Sequence, residues 1–340
     1  MLEHFKKMFE EFKKGQQSFE KDGRTKDCFF YDKTQCEGKI KNAHSLQRNG
    51  VLSIIESEVD GNMVVYCFQR MDKNPFDQYL GFEKIGKGAA STFFGFCDKH
   101  DTILFQKIEN NPVDITNDEH KFLLCYRAAA RNYHRKIEQV KSFQNNTLFN
   151  HPNLAEQQQS GINGSQAAVD ELEEHRILLN NILQTDNFND LRYFTHTVDY
   201  QIPIACTSVM SPKFYLDNSI FNFSDDPNEK YEHVYLTVLP TQKKTHILYA
   251  CIPTHAKSMK FLDDLEELSP TDLRTITCSL MVNEIENGFI SPTIFDKLSQ
   301  EEQKRLIAAI ELSDKIGFMH QQFYHLGFNF FDEKYKNEST

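Results

Sequence analysis

The sequence predicts an α+β protein in which a small metal-binding module comes first, a helical hairpin second and a larger α+β domain last. Three observations carry that reading. Segments of β-branched and aromatic residues (63–68, 234–240, 245–253) sit among segments of helical period (117–144, 272–285, 299–319). Thiols and an imidazole gather at the two ends of the stretch 27–110, with Cys28 and Cys36 early and Cys97 and His100 late. A polar break rich in Gln and Gly at 145–164 separates two helical patterns. The expected divisions are an N-terminal amphipathic helix at 1–26, the module at 27–115, the hairpin with its flexible connector at 116–190, and the last domain at 191–340.

With 340 residues, 39% hydrophobic and 26% charged, the chain is long enough for two or three domains with real cores. No apolar run reaches the roughly 20 residues of a membrane span. The first residues lack the apolar centre of a secretory signal, so the expected location is the cytoplasm. The net charge of −11 argues against sequence-independent DNA binding, which needs many phosphate contacts. The charge is uneven: residues 1–50 hold 11 Lys/Arg against 8 Asp/Glu, which allows a local basic surface near the module. Of the 8 cysteines, Cys67, Cys125, Cys206, Cys251 and Cys278 stand singly in apolar segments, where a thiol packs as a small hydrophobe. In a reducing compartment Cys28, Cys36 and Cys97 are better explained by metal than by disulfides.

Taken in order, residues 1–20 place Leu2, Phe5, Met8, Phe9, Phe12 and Phe19 near helical spacing between Lys and Glu. They read as a docking helix, with a membrane-surface or partner-binding arm as the other option. The run 51–55 is open between strand and short helix, whereas Asp60-Gly61-Asn62 is a turn signal and 63–68 a strand. Residues 117–144 predict a helix capped by Asn117 or Asp118, with Phe122, Leu123, Cys125, Tyr126, Ala129 and Tyr133 as its apolar stripe. The connector then runs as a loop to a second helix at 165–183, which completes an antiparallel hairpin. Strands are expected at 195–210, 234–240 and 245–253, with Lys243-Lys244 turning between the last two. Helices are expected at 261–268, 272–285 and 299–319, the last opened by a capping box at Ser299 and Glu302.

The module carries the chemistry. Zinc takes four ligands in a tetrahedron, drawn from Cys thiolate and His nitrogen, and Cys28, Cys36, Cys97 and His100 supply that set. The Cys97-x-x-His100 spacing suits a turn entering the first turn of a helix at 100–109, with Leu104, Phe105 and Ile108 inward. The seven-residue gap between Cys28 and Cys36 exceeds the usual two to four, so 29–35 is expected to form an extended loop. Structural Zn2+ is the expected cofactor. The alternative is two buried thiols and a surface imidazole.

The early Cys knuckle, Ala43-His44-Ser45 on a strand, and Gly95-Phe96-Cys97-Asp98-Lys99-His100-Asp101 opening a helix together resemble a treble-clef zinc fold. More specifically, the pattern is similar to divergent HNH, or ββα-metal, nucleases, and it resembles uncharacterised bacterial proteins with the same Ala/Ser-His and Gly-Phe-Cys-x-x-His-Asp signatures. The resemblance covers residues 27–110, about a quarter of the chain. It implies His44 as the general base and Asp101, at the helix start, as a ligand of a catalytic Mg2+ or Mn2+. It implies nucleic acid as substrate and suggests a host-defence effector. The chemistry is consistent: a neutral imidazole takes a proton near pH 7, and a carboxylate-held hard cation offsets phosphate charge. The chain departs from the family at Ala43, where an acid is frequent, and at Ser91 or Thr92, the residues nearest the family's Asn. His44 therefore has three readings: base, zinc ligand in place of Cys28, or structural side chain.

Other candidates are weaker. The stretch from Gly81 to Lys87 meets the Gly-x4-Gly-Lys spacing of a phosphate loop, but Gly88 follows where Ser or Thr should reach Mg2+, so it reads as a loop. Glu109 and Asp114 could assist a metal, though solvated carboxylates are far commoner. Arg127, Arg131 and Arg135 recur on one helix face, either as a phosphate track or as partners of Glu171, Glu173 or Glu174. Residues 191–340 show no catalytic constellation. A second reading makes the zinc module structural and the protein a non-catalytic interaction module whose acidic C-terminal half meets a protein partner.

Overall fold

A computed structural model of the chain describes residues 14, 15, 18–73, 79–146, 152–222, 229–315 and 326–337. Most of the amphipathic segment expected at 1–20 lies outside them, although 18–22 is helical. The architecture is α+β, with two compact units: Met1–Ala43, Phe93–Ile103 and Ala129–Thr185 form one, and His44–Thr92, Leu104–Ala128 and Asp186–Thr340 the other. No described helix is long and apolar enough to cross a membrane.

Strand β1 (Ile40–His44) pairs with β5 (Thr92–Cys97), and helix α1 (Asp98–Glu109) follows directly. Between β1 and β5 the chain inserts a π-helical turn Arg48–Leu52 that continues as one α-turn, and strands β2 (Ser57–Val59), β3 (Asn62–Lys73) and β4 (Tyr79–Ile85). The open choice at 51–55 is therefore settled as helical. Its Val51, Leu52 and Ile55 are buried, spaced as one face of a turn.

In the first unit, α3 (Ala155–Thr185) and the part of α2 (Asp118–Asn145) from Ala129 onward form a hairpin: Arg176 lies 5.8 Å from the Tyr133 ring, and the Phe143 ring lies against Gly161. The pairing of 133 with 176 and of 143 with 161 makes them antiparallel. The second helix begins ten residues before the expected Ser165, so much of the anticipated connector is helix. Gly161 reads as a breaker in sequence, but a Cβ there would strike the Phe143 ring. The glycine serves close helix approach.

The second unit is built on an eight-stranded sheet whose order is β2-β3-β10-β7-β8-β9-β6, with β4 also paired to β3. Its later members are β6 (Arg192–Val198), β7 (Ile204–Met210), β8 (Val234–Pro240), β9 (Thr245–Cys251) and β10 (Gly288–Ile290), and every pairing within this sheet is antiparallel. The single strand expected at 195–210 is two strands that are not neighbours. Pro203, which has no N–H for a ladder, sits just before β7. All seven residues of β7 and of β8 are buried, so both faces of the sheet centre are covered. The pleat sorts alternate residues: Phe68, Ile204, Cys206, Leu236 and Ile290 enter one core with α4 (Ala256–Glu266), α5 (Pro270–Asn283) and α7 (Gln300–Lys315), the short α6 (Pro292–Lys297) lying between the last two in sequence. Val65, Cys67, Ala205 and Phe289 enter the other core with Leu46, Val51, Leu52, Ile55, Ile85 and Ala90. That second core supports the chain on either side of the β1–β5 insertion.

Candidate metal centre and the His44 neighbourhood

Three segments deliver four ligands to one point. Cys28 lies on an extended segment laid beside β5: Asp27 N–H donates to Phe94 O at 3.2 Å and Phe29 N–H to Gly95 O at 2.7 Å. The gap to Cys36 is closed by a 3-10 turn, Lys33–Gln35, rather than by an extended loop. Asp32 caps that turn by accepting from Thr34 N–H at 3.0 Å. Cys36 N–H then donates to Lys33 O at 3.2 Å, which aims the second thiol back toward the first. Gly38, at φ 78°, turns the chain so that Asp98 N–H reaches Lys39 O at 3.0 Å and Lys99 N–H reaches Glu37 O at 3.3 Å. A Cβ at Gly38 would collide with the Asp98 side chain. Cys97 ends β5, and His100 occupies the first turn of α1.

The ligand atoms of Cys28, Cys36, Cys97 and His100 all lie within 4.8 Å of one another. His100 Nδ1 is 3.4 Å from Cys28 Sγ, 3.7 Å from Cys36 Sγ and 3.2 Å from Cys97 Sγ. Zn–S and Zn–N bonds of about 2.3 and 2.0 Å at a tetrahedral angle give an S···N edge of about 3.5 Å. The donor set therefore fits a tetrahedral ion. His100 is buried, not a surface imidazole, and the Phe30 ring stacks on it at 3.9 Å.

The electrostatics agree with a cation-binding set. Burial pushes the Cys28 thiol up to about 12, with weaker opposition from the Cys97 and Phe30 amides. Burial likewise raises Cys36. At Cys97 burial is the largest influence and opposes ionisation, but the His100 and Glu37 amides and the two other thiols outweigh it and hold this thiol below its usual range. Burial lowers His100, so its ring is a neutral donor near pH 7. The three thiols form no disulfide and, with His100, stand close enough together to hold a metal ion. The five remaining cysteines are buried and free, as their apolar settings predict.

His44, the last residue of β1, belongs to the second unit and is not part of the ligand cluster. It is half-buried. Its Nδ1–H donates to Ala90 O at 3.0 Å, and since a carbonyl only accepts, Nε2 is the basic nitrogen of the ring. Burial lowers its pKa first; Arg48 and Arg127 act in the same direction and Glu109 against. Arg127, 3% exposed, donates to Glu109 Oε1 at 2.6 Å and lies 3.8 Å from the Phe105 ring centroid. Gln47 Nε2 donates to Glu109 O at 2.8 Å.

Asp101 lies in the first turn of α1, half-buried, in the unit that holds the cluster. Ser91, near the position of the family's Asn, is taken up structurally: Leu46 N–H donates to its Oγ at 2.7 Å and Ser45 Oγ lies 2.5 Å away. Asp114 caps Thr116 at 2.9 Å. Arg135 pairs with Glu138 and Glu20, each at 3.2 Å. Lys87 of the near-miss phosphate loop is held by Glu56 at 2.6 Å. The Glu109–Arg127 pair and the Ser45–Ser91 contacts join residues far apart in the chain that no motif links. The only sequence signal for them was the charge of Glu109 and of Arg127.

Fold and cluster define an α+β protein with a Cys3His centre suited to a metal ion. No family model, curated protein or solved structure matches the chain, so these side chains carry the functional argument.

Proposed function

We propose that Cys28, Cys36, Cys97 and His100 hold a structural Zn2+ and that the module around it is a divergent HNH-like, treble-clef phosphodiesterase acting on nucleic acid. One observation carries the reading: the strand that follows Cys36 and pairs with the one ending at Cys97 closes in a half-buried imidazole whose Nδ1 is committed to Ala90 O, leaving Nε2 to accept a proton. His44 Nε2 removes a proton from water, the water oxygen bonds to phosphorus, and one P–O ester bond breaks, its electron pair leaving on the sugar oxygen, which takes a proton from solvent while the imidazolium returns its own to water. The resemblance makes Asp101 the residue whose carboxylate would hold a Mg2+ or Mn2+ ion. Such an ion, when bound, offsets charge on the phosphate oxygens. A host-defence role is consistent with such an activity.

Plasmid nicking with Mg2+ or Mn2+ tests the base. His44→Ala is expected to lose about 100- to 10,000-fold in rate. Equal nicking by wild type and variant would remove the mechanism. Metal analysis tests the zinc separately: about one equivalent in the wild type, lost in Cys97→Ser. A full equivalent in that variant would rule out the assigned ligand set. The second reading, a non-catalytic interaction module with a protein partner, draws support from Ala43 standing where the family carries an acid. It predicts zinc without nicking.

A further inference from the structure

Beside His44 lies the turn 86–90, which does more than accept the imidazole N–H at Ala90 O. Lys87 Nζ donates to Glu56 Oε1 at 2.6 Å and to Ser53 Oγ at 3.0 Å, which clamps the turn 86–90 onto the helical segment headed by Arg48. The Glu56 side chain is 9% exposed, so the Lys87 charge is neutralised within the protein. Arg48 is exposed and makes no ion pair among the described residues. A Cβ at Gly88 would stand 3.8 Å from Arg48 Nη2, so the guanidinium lies over the turn. Ala90, the end of that turn, receives His44 Nδ1–H. Guanidinium, turn and imidazole thus share one small surface within the second unit.

The glycines of the turn sharpen the point. Neither Gly86 nor Gly88 has a positive φ. Nothing lies within 4 Å of a Cβ built at Gly86, and only the Arg48 guanidinium does so at Gly88. Backbone conformation and internal packing would admit a side chain at both positions. Their bareness leaves the backbone open to a group that approaches closely. A guanidinium with no carboxylate partner among the described residues, above an open turn, is suited to a phosphate, whose oxygens match its paired N–H donors.

We propose that Arg48 and the turn 86–90 form the phosphate-binding subsite of the His44 centre, holding non-bridging oxygens of a nucleic-acid backbone while His44 faces the attacking water. This rests on the reading of His44 as base and adds the residue that positions the substrate. The imidazole NMR resonances of His44, assigned with His44→Gln in the full zinc-loaded chain, report on the subsite. Inorganic phosphate and a short DNA oligonucleotide, without added Mg2+ or Mn2+, are expected to shift those resonances in the wild type. Arg48→Ala is expected to weaken oligonucleotide binding about tenfold and to reduce its salt slope by about one ion. Arg48→Lys recovers part of the affinity. Gly88→Val, which fills the turn, weakens binding without moving the unfolding midpoint. Unchanged affinity in Arg48→Ala, or His44 resonances that neither probe moves, overturns the subsite. Parallel cleavage assays separate the two claims: Arg48-dependent binding with no His44-dependent cleavage ends the base role and leaves the subsite standing.

Discussion

His44 is held by neighbours that are themselves anchored far away in sequence. Ser45 N–H donates to Ser91 O at 2.9 Å, and Asn287 Nδ2 donates to Ser45 Oγ and to Thr207 O, each at 2.9 Å. Asn287 is fully buried, so truncating it strands two acceptors. Asn287→Ala is expected to cost about 1–3 kcal/mol in urea denaturation; a loss well under that range would show the network to be incidental. A second prediction concerns protons. Burial lowers His44, His134, His196 and His246 below their ordinary 6.5. As pH falls through 6.5, the unfolded chain binds protons that the folded chain refuses. Stability is therefore full above that value and declines below it. Urea midpoints at roughly pH 7.5 and 5.5 should differ in that sense, and His134→Gln should narrow the difference. The thiol ligands were legible because soft donors at a Cys-x-x-His spacing announce themselves. Asn287 was not, because nothing ties an ordinary amide to a serine 242 positions away.

The helical hairpin shows how an element hides from its own sequence. Gly161 and Gly164 resemble breaks, yet both lie inside α3. They differ in surroundings: Gly161 faces the Phe143 ring, while nothing lies within 4 Å of a Cβ at Gly164. Gly164→Ala should therefore stabilise by roughly 1 kcal/mol through helix propensity. Gly161→Ala should destabilise, because the ring must move. Matching shifts in thermal unfolding for the two variants would contradict the packing. Helix bodies such as α2 were readable because their apolar stripe repeats over many turns, and α1 for its Leu104, Phe105 and Ile108, all buried. The start of α3 was not, since tertiary packing overrode the local signal. In the same way, 195–210 read as one strand because apolar continuity outweighed a single Pro203.

Across the whole molecule, the α+β class was readable and the sharing of strands was not. Strand β3, expected within the first module, lies in the same sheet as strands from 191–340. Its neighbour is β10, only three residues long, which pairs Phe289 with Cys67 on one side and with Ala205 on the other. Strand pairing over such separations leaves no mark in periodicity, because each strand alternates in the same way whatever its partner.

That slender strand has a consequence for biosynthesis. Until the ribosome has delivered Gly288–Ile290, β3 and β7 each lack the neighbour that joins them, and two apolar borders stand bare. A nascent or nicked polypeptide ending short of this point is a template for self-association. Expression of the chain with Phe289→Pro, which takes a ladder donor from this strand and leaves the later helices in place, should yield inclusion bodies where the unaltered chain is recovered from the supernatant, and a well-behaved monomer would show that the two halves of the sheet stand without their keystone.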